Sequence, residues 1–169
     1  AELGVSRVIL ARELGRDEIA YIRTHTAVEL EIFVHGGICI SVSGRCLISN
    51  YLCSRDANQG LCTQPCRWDY AVVERTRPGQ YMPVAEDNGT TFLFNSKDLC
   101  LLPVWDQVMG LGLDGLKIEG RGRTALYVAT ITAVYRQARD AWLKDPARFT
   151  VDAAWLEEVR KTSHREYFT

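Results

Sequence analysis

Two short runs near the start of the chain carry the signature of β-structure. Residues 5–10 (VSRVIL) are β-branched, and residues 28–35 (VELEIFVH) alternate strictly before becoming continuously apolar. Between them, residues 16–24 have an apolar side at Ile19, Ala20 and Ile22, with Asp17 available as a cap, which predicts a helix. A strand, a helix and a strand within about thirty residues form a βαβ unit, whose strands pair in parallel. Downstream, residues 81–84 and 90–94 predict a hairpin across the turn sequence EDNG. The run NSKDLCLLPVWDQVMGLG predicts a helix capped by Asn95 or Ser96, with Asp98 in its first turn and Gly110 or Gly112 at its end. Pro103 should kink it or split it into two pieces. Residues 113–119 (LDGLKIE) read as another strand. Residues 124–143 form the clearest helix, with Tyr127, Ile131, Val134, Tyr135 and Ala138 recurring every three to four positions. A last helix spans residues 152–161 behind Asp152, and TSHREYFT is left as a tail.

Strands that alternate with helices define the α/β class, with parallel strands in either half of a barrel or part of an open sheet. In both, function collects at the carboxyl ends of the strands, here His35-Gly36 and Glu119-Gly120-Arg121. Between the second strand and the next elements lies a cysteine-rich insert over residues 36–70, within what reads as a single domain of residues 1–169.

The totals narrow the chemistry only a little. A net charge of −1 gives no global pull toward nucleic acid or membrane, so any such contact must use a local patch. No apolar run approaches the roughly 18–20 residues needed to span a bilayer. The opening AELGVSRVIL has no initiator Met, basic segment or signal-peptide core, and reads as a cut end within a longer protein. Without a secretory signal, six cysteines indicate a reduced, cytoplasmic chain.

Five of those six cysteines lie in the insert. The best four are spaced Cys39-x6-Cys46-x15-Cys62-x3-Cys66. Four thiolates complete a zinc site or an iron–sulfur cluster, but zinc favours close pairs at both ends and only one pair here is close. The spacing therefore favours iron–sulfur, with zinc, disulfides and unligated thiols as alternatives. Cys100, in DLCLL, reads as a buried small hydrophobe and Cys53 as a spare thiol. Among other groups, His35 is either a hydrogen-bonded core histidine or a site residue. Strand alternation puts Lys117 and Glu119 on one face, where an ion pair could hold a charged substrate or simply be solvated. Arg45, Arg67, Arg121 and Arg165 are candidates to grip anionic substrate groups. Trp68 and Tyr70 beside Arg67 could stack on a base. The motifs of zincins and of nucleophile-elbow hydrolases are absent from the sequence.

The stretch EIFVHGGICISVSGRCLIS resembles the signature of the collagenase-like peptidase family, peptidases of unknown mechanism numbered thirty-two. Glu31, Phe33, Gly36, Ile38, Cys39, Gly44, Cys46, Ile48 and Ser49 fit it, and Gly37 departs where Ser or Ala is usual. RDANQGLCTQPCRWDY, NSKDL, LKIEGR and the closing SHR extend the resemblance over nearly the whole chain. The resemblance implies a TIM-barrel-like catalytic domain, of which this chain would be the C-terminal half. It implies a four-iron four-sulfur (4Fe-4S) cluster on Cys39, Cys46, Cys62 and Cys66, with Cys66 replaced from elsewhere in some branches. QGLCTQPCRW is most similar to the branch that hydroxylates the wobble uridine of tRNA, for which a prephenate-like small carboxylate is implicated. His35, Lys117 and Glu119 are the expected catalytic residues. Zinc is an alternative or artefactual occupant, and a collagen-cleaving peptidase or a non-catalytic, paired subunit is the alternative function.

Overall fold

A computed structural model describes residues 4–39, 41–42, 44–68, 70–83 and 97–169. The chain divides into two units, residues 1–38 with 97–169, and residues 39–96.

The first unit is built around β2 (Glu29–Gly37). β1 (Arg7–Ile9) runs parallel to it, with Arg7 opposite Glu29, and α1 (Arg16–His25) connects the two. β6 (Gly115–Ile118) is also parallel to β2. The βαβ expectation therefore holds, and the sheet is mostly parallel. α4 (Ala125–Lys144) buries Tyr127, Ile131, Val134, Tyr135 and Ala138, the five positions its periodicity marks. Thr124 caps it by accepting from the Tyr127 N–H at 3.2 Å. Each large side chain on this stripe contributes about 1.5–3 kcal/mol of apolar burial. Trp105, on α3 (Trp105–Met109), is fully buried and meets the Tyr135 ring edge-on at 5.0 Å. α5 (Ala153–Arg160) starts behind Asp152, which accepts from the Ala154 N–H.

Three local expectations need correction. α1 is capped at Gly15, not Asp17: the Glu18 carboxylate reaches back to accept from the Gly15 N–H at 2.7 Å. Asp98 does not open a helix. Asp98–Cys100 is a strand, β5, antiparallel to the end of β2 and parallel to β7 (Tyr167–Phe168). Three consecutive buried residues pair on both edges there, and that tertiary pairing overrides the capping signals before it. Cys100 is buried as expected, but on a strand. Pro103 does split the segment after β5 into a 3-10 turn (Leu102–Val104) and the short α3. The tail is likewise no loose end, since it supplies β7.

In the second unit, α2 (Ile48–Cys53) is followed by 3-10 turns at Ala57–Gln59 and Pro65–Arg67. β3 (Ala71–Val73) then pairs antiparallel with β4 (Tyr81–Pro83). The expected hairpin assigns β4 a different partner. Its second strand, residues 90–94, and the EDNG turn lie outside the described residues.

Candidate functional site

The carboxyl end of β2 decides how the candidate residues divide. Phe33 stands opposite Lys117 and His35 opposite Ile118, so Val34 is an extra residue and the register shifts between them. A β-bulge of this kind re-aims the side chains beyond it. Val34 and His35 are both buried, and His35 turns toward α4. Strict alternation would have left His35 beside Phe33 and Lys117. The bulge instead separates it from them.

On the face of the sheet that carries Phe33 and Lys117, charge gathers around one ring. The Arg12 guanidinium lies 3.8 Å over Phe33, and the Lys117 ammonium is 5.1 Å from the ring centroid. Arg12 also donates to the Gly37 carbonyl at 3.0 Å and to Glu119 Oε2 at 3.4 Å. Glu119 thus pairs with Arg12, not with Lys117, and its other oxygen accepts from the Arg121 N–H at 2.7 Å. Gly36 makes this closeness feasible. It has φ of +108°, and a Cβ there would stand 2.4 Å from the Glu119 carbonyl oxygen. Arg12 carries no signal in the sequence: it follows the first strand with no motif around it, and only the parallel pairing brings it to Glu119.

On the α4 side lies a buried polar group. Tyr135 donates its hydroxyl proton to the Val34 carbonyl at 2.8 Å, so its oxygen is left to accept from His35 Nδ1, 3.3 Å away. This assigns the Nδ1–H tautomer and leaves Nε2 as the acceptor, 3.5 Å from the Tyr167 hydroxyl. Burial lowers the His35 pKa to about 4, against the opposing pull of Asp98, and keeps the ring neutral. Burial also raises the Cys100 thiol and lifts the Tyr135 phenol well above its usual value. Asp98 is fully buried. Its Oδ2 accepts from Arg123 at 2.7 Å and from the Arg165 backbone N–H at 3.3 Å. Its Oδ1 has no hydrogen-bond partner among the described residues. Arg123 spreads over the Tyr127 ring at 4.9 Å and donates to the Ser163 carbonyl. Sequence reading offers Arg123 as a group to grip carboxylates but does not pair it with Asp98, because an ion pair 25 residues apart leaves no periodic trace.

The four expected cysteine ligands all lie in the second unit, with Cys39 at its start. No disulfide joins the six cysteines. Cys46 and Cys66 are buried, while Cys39 and Cys62 are half-buried. Buried Ser49 ties the segments together: its hydroxyl lies 3.1 Å from the Thr63 hydroxyl and accepts from the Thr63 N–H at 3.1 Å. Asn58 donates to the Cys46 carbonyl, and the Gln64 N–H points at Cys62 Sγ, 3.3 Å away. Among the described residues, the buried side chains of this unit are Cys46, Ser49, Pro65 and Cys66. Thiols therefore make up two of these four described buried side chains, and the donor chemistry suits a thiolate-bound group. The described His, Cys, Asp and Glu side chains do not, in groups of three or more, form a ready-made metal-binding set.

The four candidate arginines are shared between the units. Arg45 is exposed, and Arg67 is half-buried and donates to Gln64 Oε1 at 2.9 Å. Arg121 and Arg165 belong to the first unit, beside Glu119 and Asp98. Tyr70 is held by its hydroxyl donating to the Pro65 carbonyl, whereas Trp68 is exposed. Among the described residues, no helix is long and apolar enough to cross a membrane.

Comparison with known proteins places this geometry in a family. The chain is 40% identical over 168 residues to a Bacillus subtilis tRNA hydroxylation protein P1, covering 99% of this chain and 40% of that protein. It is 33% identical to the Escherichia coli 23S rRNA 5-hydroxycytidine C2501 synthase, covering 99% of this chain and 26% of that protein. It is 28% identical to a Porphyromonas gingivalis collagenase, covering 95% of this chain and 40% of that protein. The chain thus spans about two fifths of the length of the tRNA hydroxylation protein it matches. No solved structure gives a significant match. Peptidase family U32 matches residues 1–169 in full, and the chain belongs to that family.

Proposed function

We propose that this chain is part of an RNA-hydroxylating enzyme that acts on the wobble uridine of tRNA. The observation that carries the reading is the 40% identity, over 99% of the chain, to a protein named for tRNA hydroxylation. Kinship with an rRNA 5-hydroxycytidine synthase supports the same reaction class on a second pyrimidine. In this reading the strands β1, β2 and β6 belong to a TIM-barrel-like sheet, of which the chain is the C-terminal half. Their parallel pairing and the cluster of charge at their carboxyl ends support that placement. An RNA substrate and reduced thiols fit a cytoplasmic setting.

Cys39, Cys46, Cys62 and Cys66 would hold a 4Fe-4S cluster, with zinc as the alternative occupant. A unit whose described buried side chains are two thiols, a proline and a serine supports a bound inorganic centre there. When bound, such a cluster supplies electron transfer. The chain's own residues bind and orient. Lys117 and Arg12 present positive charge around Phe33, where a prephenate-like carboxylate would be met, and Glu119 fixes Arg12 in place. Neutral His35 holds a proton on Nδ1 and accepts at Nε2 from the Tyr167 hydroxyl without adding charge to the interior. A paralogous partner subunit is part of the same proposal.

The test is mass spectrometry of tRNA from a deletion strain complemented with the full-length protein. Restored 5-hydroxyuridine is expected, and its absence beside a normally accumulated protein would reject the reading. Anaerobic purification with iron and sulfide quantified, on wild type and Cys62→Ala, tests the cluster separately. Kinship with a collagenase favours a second reading, a metal-dependent peptidase, which predicts cleavage of gelatin by the purified protein.

A further inference from the structure

We infer that the cleft between α3 and α4 is a binding site for a small carboxylic acid with an apolar body. Strand alternation sets Leu116 and Ile118, which line the cleft, on the face opposite Lys117. The cleft therefore stands apart from the proposed reacting centre and does not depend on the RNA reading. It follows from helix lengths. α3 has five residues and α4 has twenty, about 7.5 Å of helix against about 30 Å. Past Met109 the chain turns at Gly110 and runs on into β6, so the helical layer leaves an opening over that strand. The cavity measures about 440 Å³, within the range of small-molecule sites. Leu116 and Ile118 pack against the core yet stay only half-buried.

Three features of the lining define the ligand. Its floor is apolar, with Val34, Val108, Met109 and Leu113 beside Leu116 and Ile118. Trp105 lines the same cavity and is fully buried, and its Nε1–H has no hydrogen-bond partner among the described residues. A buried donor left unmade costs stability, and a lone water needs two to four polar partners, which an apolar floor does not offer. An oxygen carried on an apolar body supplies the missing acceptor. Finally, one face of α4 brings Thr132, Arg136 and Arg139 to the cavity, spaced i, i+4 and i+7. Both arginines pair with the same Asp140, at 2.7 and 2.8 Å, so two positive charges share one negative. Asp114 also lines the cavity, but it is paired with Arg23 and accepts from the Leu30 N–H. The rim thus carries one positive charge in excess, and guanidinium groups match carboxylates in geometry. An inorganic anion would leave the apolar floor uncovered, and a neutral apolar molecule would leave the rim charge unanswered.

The experiment titrates full-length protein with octanoate, with octanol as the uncharged comparison and inorganic phosphate as the anion without an apolar body. Binding is read by calorimetry and by the indole N–H resonances in proton–nitrogen spectra, where Trp105→Phe identifies the Trp105 signal by its loss. Octanoate should bind saturably and shift that signal, and phosphate should do neither. Arg136→Gln/Arg139→Gln should weaken octanoate by roughly ten- to a hundredfold, the loss of a hydrogen bond to a charged group, and leave octanol unchanged. Arg136 is exposed and Arg139 half-buried, and surface ion pairs add little to stability, so calorimetry on this variant decides the matter even if Trp105→Phe does not fold. If no probe binds, or if octanoate binds without moving the Trp105 signal, the site is refuted. If octanoate and octanol bind alike and the arginine variant changes neither, the carboxylate assignment is overturned.

Discussion

The two units bury different kinds of side chain. In the first, one continuous core runs from Leu30 and Ile32 through Leu102, Trp105 and Ile131 to Val159, all nearly or wholly buried. In the second, the described buried side chains are two thiols, a proline and a serine. The first unit thus has the apolar area that stabilises a domain at about 25 cal/mol per Å². Among its described residues the second does not, and in the proposed reading hydrogen-bonded turns and a bound group supply its cohesion. In that reading the chain folds one part by packing and the other by ligation.

The comparison predicts that the largest losses come from substitutions in the packed unit. Gly36→Ala should be the most severe. It would place a methyl group 2.4 Å from the Glu119 carbonyl oxygen at a φ of +108°, so β2 and β6 must part. A loss of more than about 4 kcal/mol is expected, seen as failure to reach a native thermal transition. Arg123→Met should follow. Asp98 is fully buried, and without its partner the carboxylate is left uncompensated, at about 3–5 kcal/mol. Asp98→Asn/Arg123→Met removes both charges and should recover part of that loss in chemical denaturation. If the double variant is no better than the single one, the buried charge is not the cause.

His35→Gln tests the same unit through pH. The folded pKa, about 4, lies below the usual 6.5 because burial disfavours the imidazolium. The unfolded chain therefore takes up a proton first as pH falls. The stability owed to neutral His35 is fully present above pH 6.5, is lost progressively on the way down, and levels off below about 4. The total is roughly 3 kcal/mol. A variant that cannot titrate should flatten that limb of the stability–pH curve. An unchanged slope would show that the ring is hydrated and charged despite its burial.

How far each unit was legible in the sequence reflects the same contrast. Periodicity exposes the core of α4 at every buried position, and the βαβ start of the sheet, because apolar burial writes a repeating pattern into sequence. The bulge at Val34 breaks that pattern by one residue, so strict alternation assigns His35 to the face of Lys117 and Glu119, whereas it turns to Tyr135. Arg12 with Glu119, and Asp98 with Arg123, are pairings between distant segments and become visible only once the strands are laid together. In the cysteine-rich unit the thiols stand out by residue type, whereas the pairing of β3 with β4 is not read from the sequence. Turn signals near residues 86–89 point to one hairpin, and the turn after Val73 forms another.

The smallest effect, and the one that most sharpens the contrast, belongs to Ser49→Ala. Ser49 is fully buried, and its hydroxyl links α2 to Thr63 through both the Thr63 N–H and the Thr63 hydroxyl. Its loss removes two hydrogen bonds from a unit with few apolar side chains buried among its described residues, at about 1–2 kcal/mol. Because the first unit does not draw on that bond, its hydrogen-exchange protection at Leu30, Ile32 and Ile131 should stay as in wild type. Amides of residues 48–66 should exchange faster by roughly five- to thirtyfold, the same free energy expressed as an opening equilibrium. Uniform loss of protection across both units would mean that they unfold as one body, and packing in the first unit would then be sustaining the second after all.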